Sequence, residues 1–99
     1  MEKILTFDGT NAALRAEDIL KAEGIPVRIM SRPNSLGAEC GFCVRLDPET
    51  WLLGLRRLLG RVTIRGVYDM FLDPESRYVY KEIPLAVWEN LIRESKSKG

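Results

Sequence analysis

The order of hydrophobic periods along this chain constrains its fold more than any other feature. Four short segments run apolar or alternate apolar with polar residues, as strands do: 4–7, 27–30, 42–46 and a segment that begins at 62. Two further segments place apolar residues at helical spacing, at 11–23 and after Asp47. The chain therefore predicts strand, helix, strand, strand, helix and strand in succession, which is an α+β arrangement.

This order is the split βαβ pattern of the ferredoxin-like fold, and it predicts an antiparallel sheet with both helices on one face. Alternation predicts that one set of strand residues points at the helices: Val27, Ile29, Phe42, Val44, Leu46, Val62 and Ile64. The intervening residues are predicted on the opposite, open face: Arg28, Met30, Cys43, Arg45, Thr63 and Arg65. Cys43 is thus expected within a strand, on the face that the helices do not cover.

Capping residues predict where the two helices begin and end. Thr10 suits the N-cap of the first helix, and Gly24 supplies the left-handed position that follows its last turn. Asp47 suits the N-cap of the second helix with Pro48 at its first position, and Gly60 ends that helix. Each helix is therefore bounded by start and stop signals of its own.

Residues 73–99 are predicted to extend a 1–72 domain with a hairpin strand, a third helix and a frayed tail. A turn at 73–76 leads into a strand at 77–81, and Pro84 then opens the helix. The apolar face of this helix carries Leu85, Trp88, Leu91 and Ile92. We expect this face to pack on the core, with a dimer or partner surface as the alternative.

Composition excludes several classes of function. The 99 residues suit one domain, and their net charge of +1 argues against a dedicated nucleic-acid binder. Histidine is absent, so this chain alone cannot assemble a Ser-His-Asp or Cys-His enzyme. The first residues have the pattern of a strand, so we expect no signal peptide. No apolar run reaches the ~20 residues that span a membrane. We expect a cytoplasmic protein that keeps its thiols reduced and has no cofactor and no membrane or nucleic-acid partner.

The two cysteines, Cys40 and Cys43, are the residues most suited to chemistry. A disulfide needs Cα atoms within ~7 Å, whereas extended chain separates positions three apart by ~10 Å. Only a tight turn at Gly41 would close that gap and allow a redox dithiol. A metal site is disfavoured, because tetrahedral zinc takes four ligands, usually cysteine or histidine, and this chain has two cysteines and no histidine. The favoured hypothesis therefore gives the two thiols different roles.

In this hypothesis Cys40 is the working thiol. It ends a polar, glycine-containing loop and is expected to be accessible, and Gly41 lets a substrate or partner approach it closely. Arg32 and Arg45 lie nearby in sequence and would favour the thiolate. Cys43 lies inside the third strand, where it is either a packed core residue or a resolving thiol for oxidised Cys40.

Several ordered motifs resemble those of one family. They are Thr6-Phe7 with Ala13-Leu14-Arg15-Ala16-Glu17, Gly24-Ile25-Pro26-Val27-Arg28, Cys40-Gly41 with Leu46-Asp47-Pro48-Glu49, and Gly66-Val67-Tyr68. In this order they resemble the small selenium/sulfur carrier proteins, a family also classed as a domain of unknown function. The resemblance covers residues 3–72.

The resemblance implies that Cys40 holds sulfur or selenium as a persulfide or selenosulfide. It implies a donor such as a cysteine desulfurase, an acceptor protein, and a carrier rather than a stand-alone enzyme. Two features depart from the family pattern. The loop at 32–37 reads Arg-Pro-Asn-Ser-Leu-Gly, whereas relatives tend to place serines close before the cysteine, and Cys43 stands where a small or apolar residue is more usual.

Two other classes of function are alternatives. A regulatory or interaction module would use the last helix or the open sheet face, including as a homodimer, and Cys40 would be incidental. RNA binding on the open face is suggested by Arg28, Arg45 and Arg65. It is disfavoured because the predicted open positions of strands two to four carry no aromatic residue on which bases could stack.

Overall fold

The structure, a computed structural model, describes residues 1–33, 36 and 41–98, with the backbone alone for 95–98. Its eight elements are, in order, β1 (Glu2–Phe7), α1 (Thr10–Ala22), β2 (Val27–Ser31), β3 (Phe42–Leu46), α2 (Trp51–Leu58), β4 (Ile64–Leu72), β5 (Tyr78–Glu82) and α3 (Leu85–Lys98). The first six elements follow the predicted order. The last two are the predicted strand and helix of the C-terminal segment.

The five strands form one open antiparallel sheet in the order β2-β3-β1-β4-β5. All three helices pack on the same face of this sheet and enclose the main core with it. Buried strand residues of that core are Leu5, Phe7, Val44, Leu46 and Val67. Buried helix residues of that core are Ala13, Ala16, Ile19, Leu20, Trp51, Leu55, Leu58, Trp88 and Ile92. The molecule is therefore a mixed α/β fold with one covered and one open sheet face.

The predicted division of strand residues between the two faces holds at most positions. Val44 and Leu46 are buried in the main core, whereas Cys43 belongs to a second, smaller cluster on the open face. Phe42 shares the face of Val44 and Leu46 by alternation, but its side chain is 38% exposed and lies outside the core. Phe42 forms the terminal pair of the β2–β3 ladder with Ser31, next to the loop, where the sheet ends.

The first helix begins differently from the prediction and ends as predicted. Gly9 is its N-cap and Thr10 is its first residue, so the prediction that Thr10 caps the helix is wrong. Gly24 adopts a φ of 74°, the left-handed conformation expected just past the helix. The Lys21 ammonium lies 3.2 Å from the Glu17 carboxylate, a pairing one helical turn apart.

The second helix begins later than its sequence signal indicates. Its first residue is Trp51 and its N-cap is Thr50, so the predicted N-cap at Asp47 is wrong. The Thr50 backbone N–H instead donates to the Asp47 carbonyl at 3.2 Å, which closes a turn. Proline after an aspartate favours the second position of such a turn as much as the start of a helix, so Pro48 suits both structures. The predicted stop is found, since Gly60 adopts a φ of 80° just past the helix.

The fourth strand begins two residues later than predicted, at Ile64, and contains an irregularity. Thr6 pairs with Gly66, but the next residue, Phe7, pairs with Ile64, so the ladder shifts beside Gly66. The strand then continues to Leu72 and pairs with β5 over its second half. This continuation brings Tyr68 and Met70 to the open face.

The third helix contributes to the main core. Trp88 and Ile92 are buried in it, and Leu91 packs partly against it, as predicted for packing residues. Leu85 is 57% exposed, so its prediction as a packing residue is wrong. The helical backbone continues to Lys98 and includes most of the segment that the sequence predicts as a frayed tail.

Trp88→Ala should lower the free energy of unfolding by about 3–5 kcal/mol, because it removes a buried aromatic side chain and leaves a cavity. Val87→Ala changes the preceding residue of the same helix, which is 46% exposed, and should change that free energy by less than about 0.5 kcal/mol. Urea denaturation followed by circular dichroism measures both values. Equal effects of the two substitutions would show that α3 does not stabilise the core through Trp88.

Candidate functional site

The β2–β3 hairpin carries the segment in which both cysteines lie. Its ladder runs from the pair Val27–Leu46 to the pair Ser31–Phe42. One further backbone hydrogen bond, from the Arg32 N–H to the Gly41 carbonyl at 3.0 Å, extends the ladder beyond the strands. This bond ties together the two ends of the loop. Cys40, which directly precedes Gly41, lies outside the described residues.

Gly41 is exposed, and its surroundings leave room for a close approach. A Cβ atom built on it would meet no described atom within 4 Å. Packing among the described residues therefore does not require a glycine at this position. The predicted role of Gly41, which is to let a substrate or partner approach Cys40, stays a prediction.

Cys43 lies in β3 and is fully buried on the open face of the sheet. Its side chain forms a cluster with the buried Ile4 and Met70, and this group is called the open-face cluster below. Partly buried residues complete the cluster: Met30, Leu36, Tyr68 and Tyr80. Met30 is the direct cross-strand neighbour of Cys43. This burial agrees with the packed-core interpretation of Cys43, and its role as a resolving thiol stays a prediction.

Tyr68 is an aromatic residue on the open face. None of the predicted open positions of strands two to four is aromatic, but β4 continues past Gly66 and adds Tyr68 to the open face. A Cβ on Gly66 would lie 2.9 Å from Tyr68 Cε1 and 3.2 Å from Thr6 Oγ1. The tyrosine ring therefore lies along β4 over Gly66, beside Thr6, and the missing side chain of the glycine provides its space.

The two partly buried tyrosines of the open-face cluster have raised pKa values. Burial raises the pKa of Tyr80, and the proximity of Cys43 and Tyr78 raises it further, whereas Arg45 lowers it. Burial also raises the pKa of Tyr68, with smaller opposing effects of nearby charges. The Tyr80 side chain packs against the open-face cluster, which includes Cys43.

The two arginines that are predicted to favour the Cys40 thiolate, Arg32 and Arg45, lie in different surroundings. Arg45 is on the open face, where its guanidinium forms a two-point ion pair with the Glu2 carboxylate. Arg32 lies at the base of the loop and donates from Nη1 to the Pro33 carbonyl at 3.0 Å. Arg32 is the closer of the two to Gly41, because its backbone N–H donates to the Gly41 carbonyl, whereas Arg45 lies near the other end of the hairpin ladder.

In the described part of the chain, no group of three or more histidine, cysteine, aspartate or glutamate side chains is arranged to hold a metal ion. Among residues 1–33, 36 and 41–98, no helix has the length and hydropathy needed to cross a bilayer.

Comparison with known protein families identifies the family of this chain. Residues 2–68 match the family described as "Putative Se/S carrier protein-like". The chain belongs to this family. The matched segment of this Se/S carrier family member contains Cys40 and Gly41 and ends within β4 at Tyr68. No curated protein and no solved structure matches the chain.

The resemblance to the Se/S carrier family is therefore confirmed, but sequence reasoning missed part of the site's surroundings. Glu2 was not expected to pair with Arg45, and Met70 and Tyr80 were not expected beside Cys43. The signal for Glu2 was available, since alternation from Ile4 places it on the open face beside the third strand. Alternation along 78–82 likewise places Tyr80 on the same face as Tyr78 and Glu82, but it does not show whether this face is the open or the covered one.

Native Cys43 should react with N-ethylmaleimide at least about 100-fold more slowly than unfolded Cys43, because the reagent must wait for local opening of a buried strand. The Cys40→Ser variant isolates this thiol, and intact-protein mass spectrometry in buffer and in urea gives the two rates. Similar rates in both conditions would show that the Cys43 sulfur is accessible in the folded protein.

The raised pKa values of Tyr68 and Tyr80 predict a loss of stability at alkaline pH. The folded state holds these phenolic protons more tightly, so their contribution is full below about pH 10 and is lost as pH rises through the folded-state pKa. The double variant Tyr68→Phe, Tyr80→Phe should lose less unfolding free energy than the parent between about pH 9 and about pH 11. Urea denaturation at several pH values measures the two slopes, and equal slopes would contradict the assignment.

Proposed function

We propose that the protein carries sulfur or selenium on Cys40 and relays it from a donor protein to an acceptor protein. Family membership carries this proposal, because the matched residues 2–68 include Cys40 and Gly41. The burial of Cys43 supports it, since a fully enclosed sulfur cannot meet the reactive group of another protein. Of the two cysteines in the chain, Cys40 is then the candidate for transfer.

The proposed transfer is a thiol–disulfide type of exchange. The Cys40 thiolate attacks the outer sulfur of a persulfide on a cysteine desulfurase-like donor, an S–S bond forms on Cys40, and the donor cysteine leaves as a thiolate. An acceptor thiolate then attacks the outer sulfur and releases the Cys40 thiolate. Selenium would be held and passed on in the same way, as a selenosulfide. The carrier returns to its starting state after each cycle.

Arg32 is the residue that we assign to favour the Cys40 thiolate. Its backbone is hydrogen-bonded to Gly41, the residue that follows Cys40, and its guanidinium lies at the base of the same loop. A cation next to a thiol stabilises the thiolate, which is the nucleophilic form. Arg45 contributes less, because Glu2 offsets its charge.

An alternative function with different chemistry is that of a small redox protein in which Cys40 and Cys43 form the dithiol. Its second thiol would be Cys43, which the open-face cluster encloses completely. Cys43 could form a disulfide only after a local opening of β3, and such an opening costs free energy in every cycle. This cost favours a carrier that uses one thiol.

A non-catalytic interaction module is a second alternative, and exposed apolar side chains on the helices favour it. Leu85 and Val87 on α3 are 57% and 46% exposed, and Leu59 after α2 is 42% exposed. Such a surface would serve a partner protein or a second copy of the chain. In this alternative Cys40 would be dispensable for binding.

We also infer a ferredoxin-like arrangement for the first six elements and a cytoplasmic setting for the relay. The βαββαβ order, the antiparallel sheet and the shared helix face support the first inference. The second follows from the chemistry, because a thiol carrier needs a compartment that keeps thiols reduced.

Incubation with a cysteine desulfurase and L-cysteine should add the mass of one sulfur atom to the parent protein. Cys43→Ala should load to the same extent, whereas Cys40→Ser should not load, because only Cys40 provides the attacking thiolate. Intact-protein mass spectrometry detects the added sulfur, and dithiothreitol should remove it.

The two cysteine variants separate the carrier from its alternatives. Equal loading of the Cys40→Ser variant, or no loading of the folded parent protein, would contradict the carrier. A product lighter by two hydrogens, seen in the parent but in neither variant, would identify an internal disulfide and favour the redox dithiol.

A further inference from the structure

A cleft of about 270 Å³ lies at the end of the β2–β3 hairpin that is remote from Gly41. Its lining residues are Glu2, Pro26, Val27, Arg28, Arg45 and Asp47. The pair Val27–Leu46 closes the hairpin ladder at this end, whereas the bond between Arg32 and Gly41 closes it at the other. The cleft and Gly41 therefore lie at opposite ends of the hairpin ladder.

The charged groups of this cleft are only half paired. Arg45 and Glu2 form an ion pair with each other. Arg28 stands directly opposite Arg45 in the ladder, and like charges in such positions repel. Within the described part of the chain, neither the Arg28 guanidinium nor the Asp47 carboxylate forms a hydrogen bond or ion pair. One cation and one anion thus line the same cleft with no partner among the described residues.

The unpaired charges define what a ligand must carry. A simple anion would bind Arg28 but would be repelled by Asp47 and Glu2, and a simple cation would be repelled by the two arginines. A ligand with a carboxylate and an ammonium close together satisfies both groups, and a guanidinium can hold a carboxylate through two parallel hydrogen bonds. A zwitterion is therefore the chemical class that matches this lining.

The size and apolar part of the lining restrict the ligand further. Pockets for drug-sized molecules have volumes of roughly 300–1,000 Å³, so this cleft suits a smaller molecule. Pro26, which is exposed, supplies the apolar contact for a short side chain, whereas the Val27 side chain packs partly against the main core. We propose that the cleft binds a free α-amino acid with a small side chain, with its carboxylate on Arg28 and its ammonium on Asp47. This site is independent of Cys40 and of the carrier function.

Titration with L-alanine, followed by the backbone amide signals in nuclear magnetic resonance spectra, tests the proposal. We expect saturable shifts at Val27, Arg28 and Asp47. Propionate and ethylamine each retain one of the two charged groups of L-alanine, and each should bind at least about tenfold more weakly.

Charge-removing variants test the two assigned contacts. Arg28→Gln and Asp47→Asn should each raise the Kd for L-alanine at least about tenfold, because each removes one charge-assisted contact. Arg15→Gln and Asp18→Asn make the same changes at exposed positions on α1 and should leave the Kd unchanged.

Several outcomes would overturn the proposal. Propionate binding as tightly as L-alanine would indicate a simple anion site, and equally tight ethylamine would indicate a cation site. The proposal also fails if L-alanine gives no saturable shifts with the folded parent protein, or if its Kd is unchanged in Arg28→Gln.

Discussion

The rest of the structure depends on the burial of β1 on both of its faces. This strand lies at the centre of the sheet, between β3 and β4. Leu5 and Phe7 enter the main core under the helices, whereas Ile4 enters the open-face cluster and Thr6 is buried beside it. Each buried large apolar side chain contributes about 1.5–3 kcal/mol. The three helices can cover only one side of this strand, so the open face needs the additional cover that β4 and β5 provide.

Much of this fold could be predicted because periodicity is a local consequence of which faces are buried. The third strand has the predicted bounds, and the left-handed glycines Gly24 and Gly60 lie where the helix stops were expected. The start of α2 could not be predicted from Asp47 and Pro48, since the same residues suit a turn and a helix N-terminus. The helix begins instead at Trp51, whose ring is buried in the main core.

The candidate site was predictable in its chemistry but not in its surroundings. Alternation assigns Cys43 to the open face, but it does not show that Met70 joins the same cluster or that Tyr80 packs against it, from strands distant in sequence. The partner of Arg45, Glu2, likewise lies 43 positions away in sequence. Local patterns report which side of a strand a residue occupies, and long-range pairing decides what covers it.

The two edge strands of the sheet carry features that oppose pairing with a strand of another protein. The edge strands, β2 and β5, have backbone groups on one side that no other strand of the sheet pairs. Both strands carry exposed charged residues, Arg28 on β2 and Lys81 and Glu82 on β5, and charged side chains on an edge oppose the addition of a further strand. The open face offers apolar surface instead, where Leu72 and Tyr78 pair across the strands and are both more than half exposed. These two exposed apolar side chains of the sheet therefore lie on its open face, and its edges carry the charge that opposes strand addition.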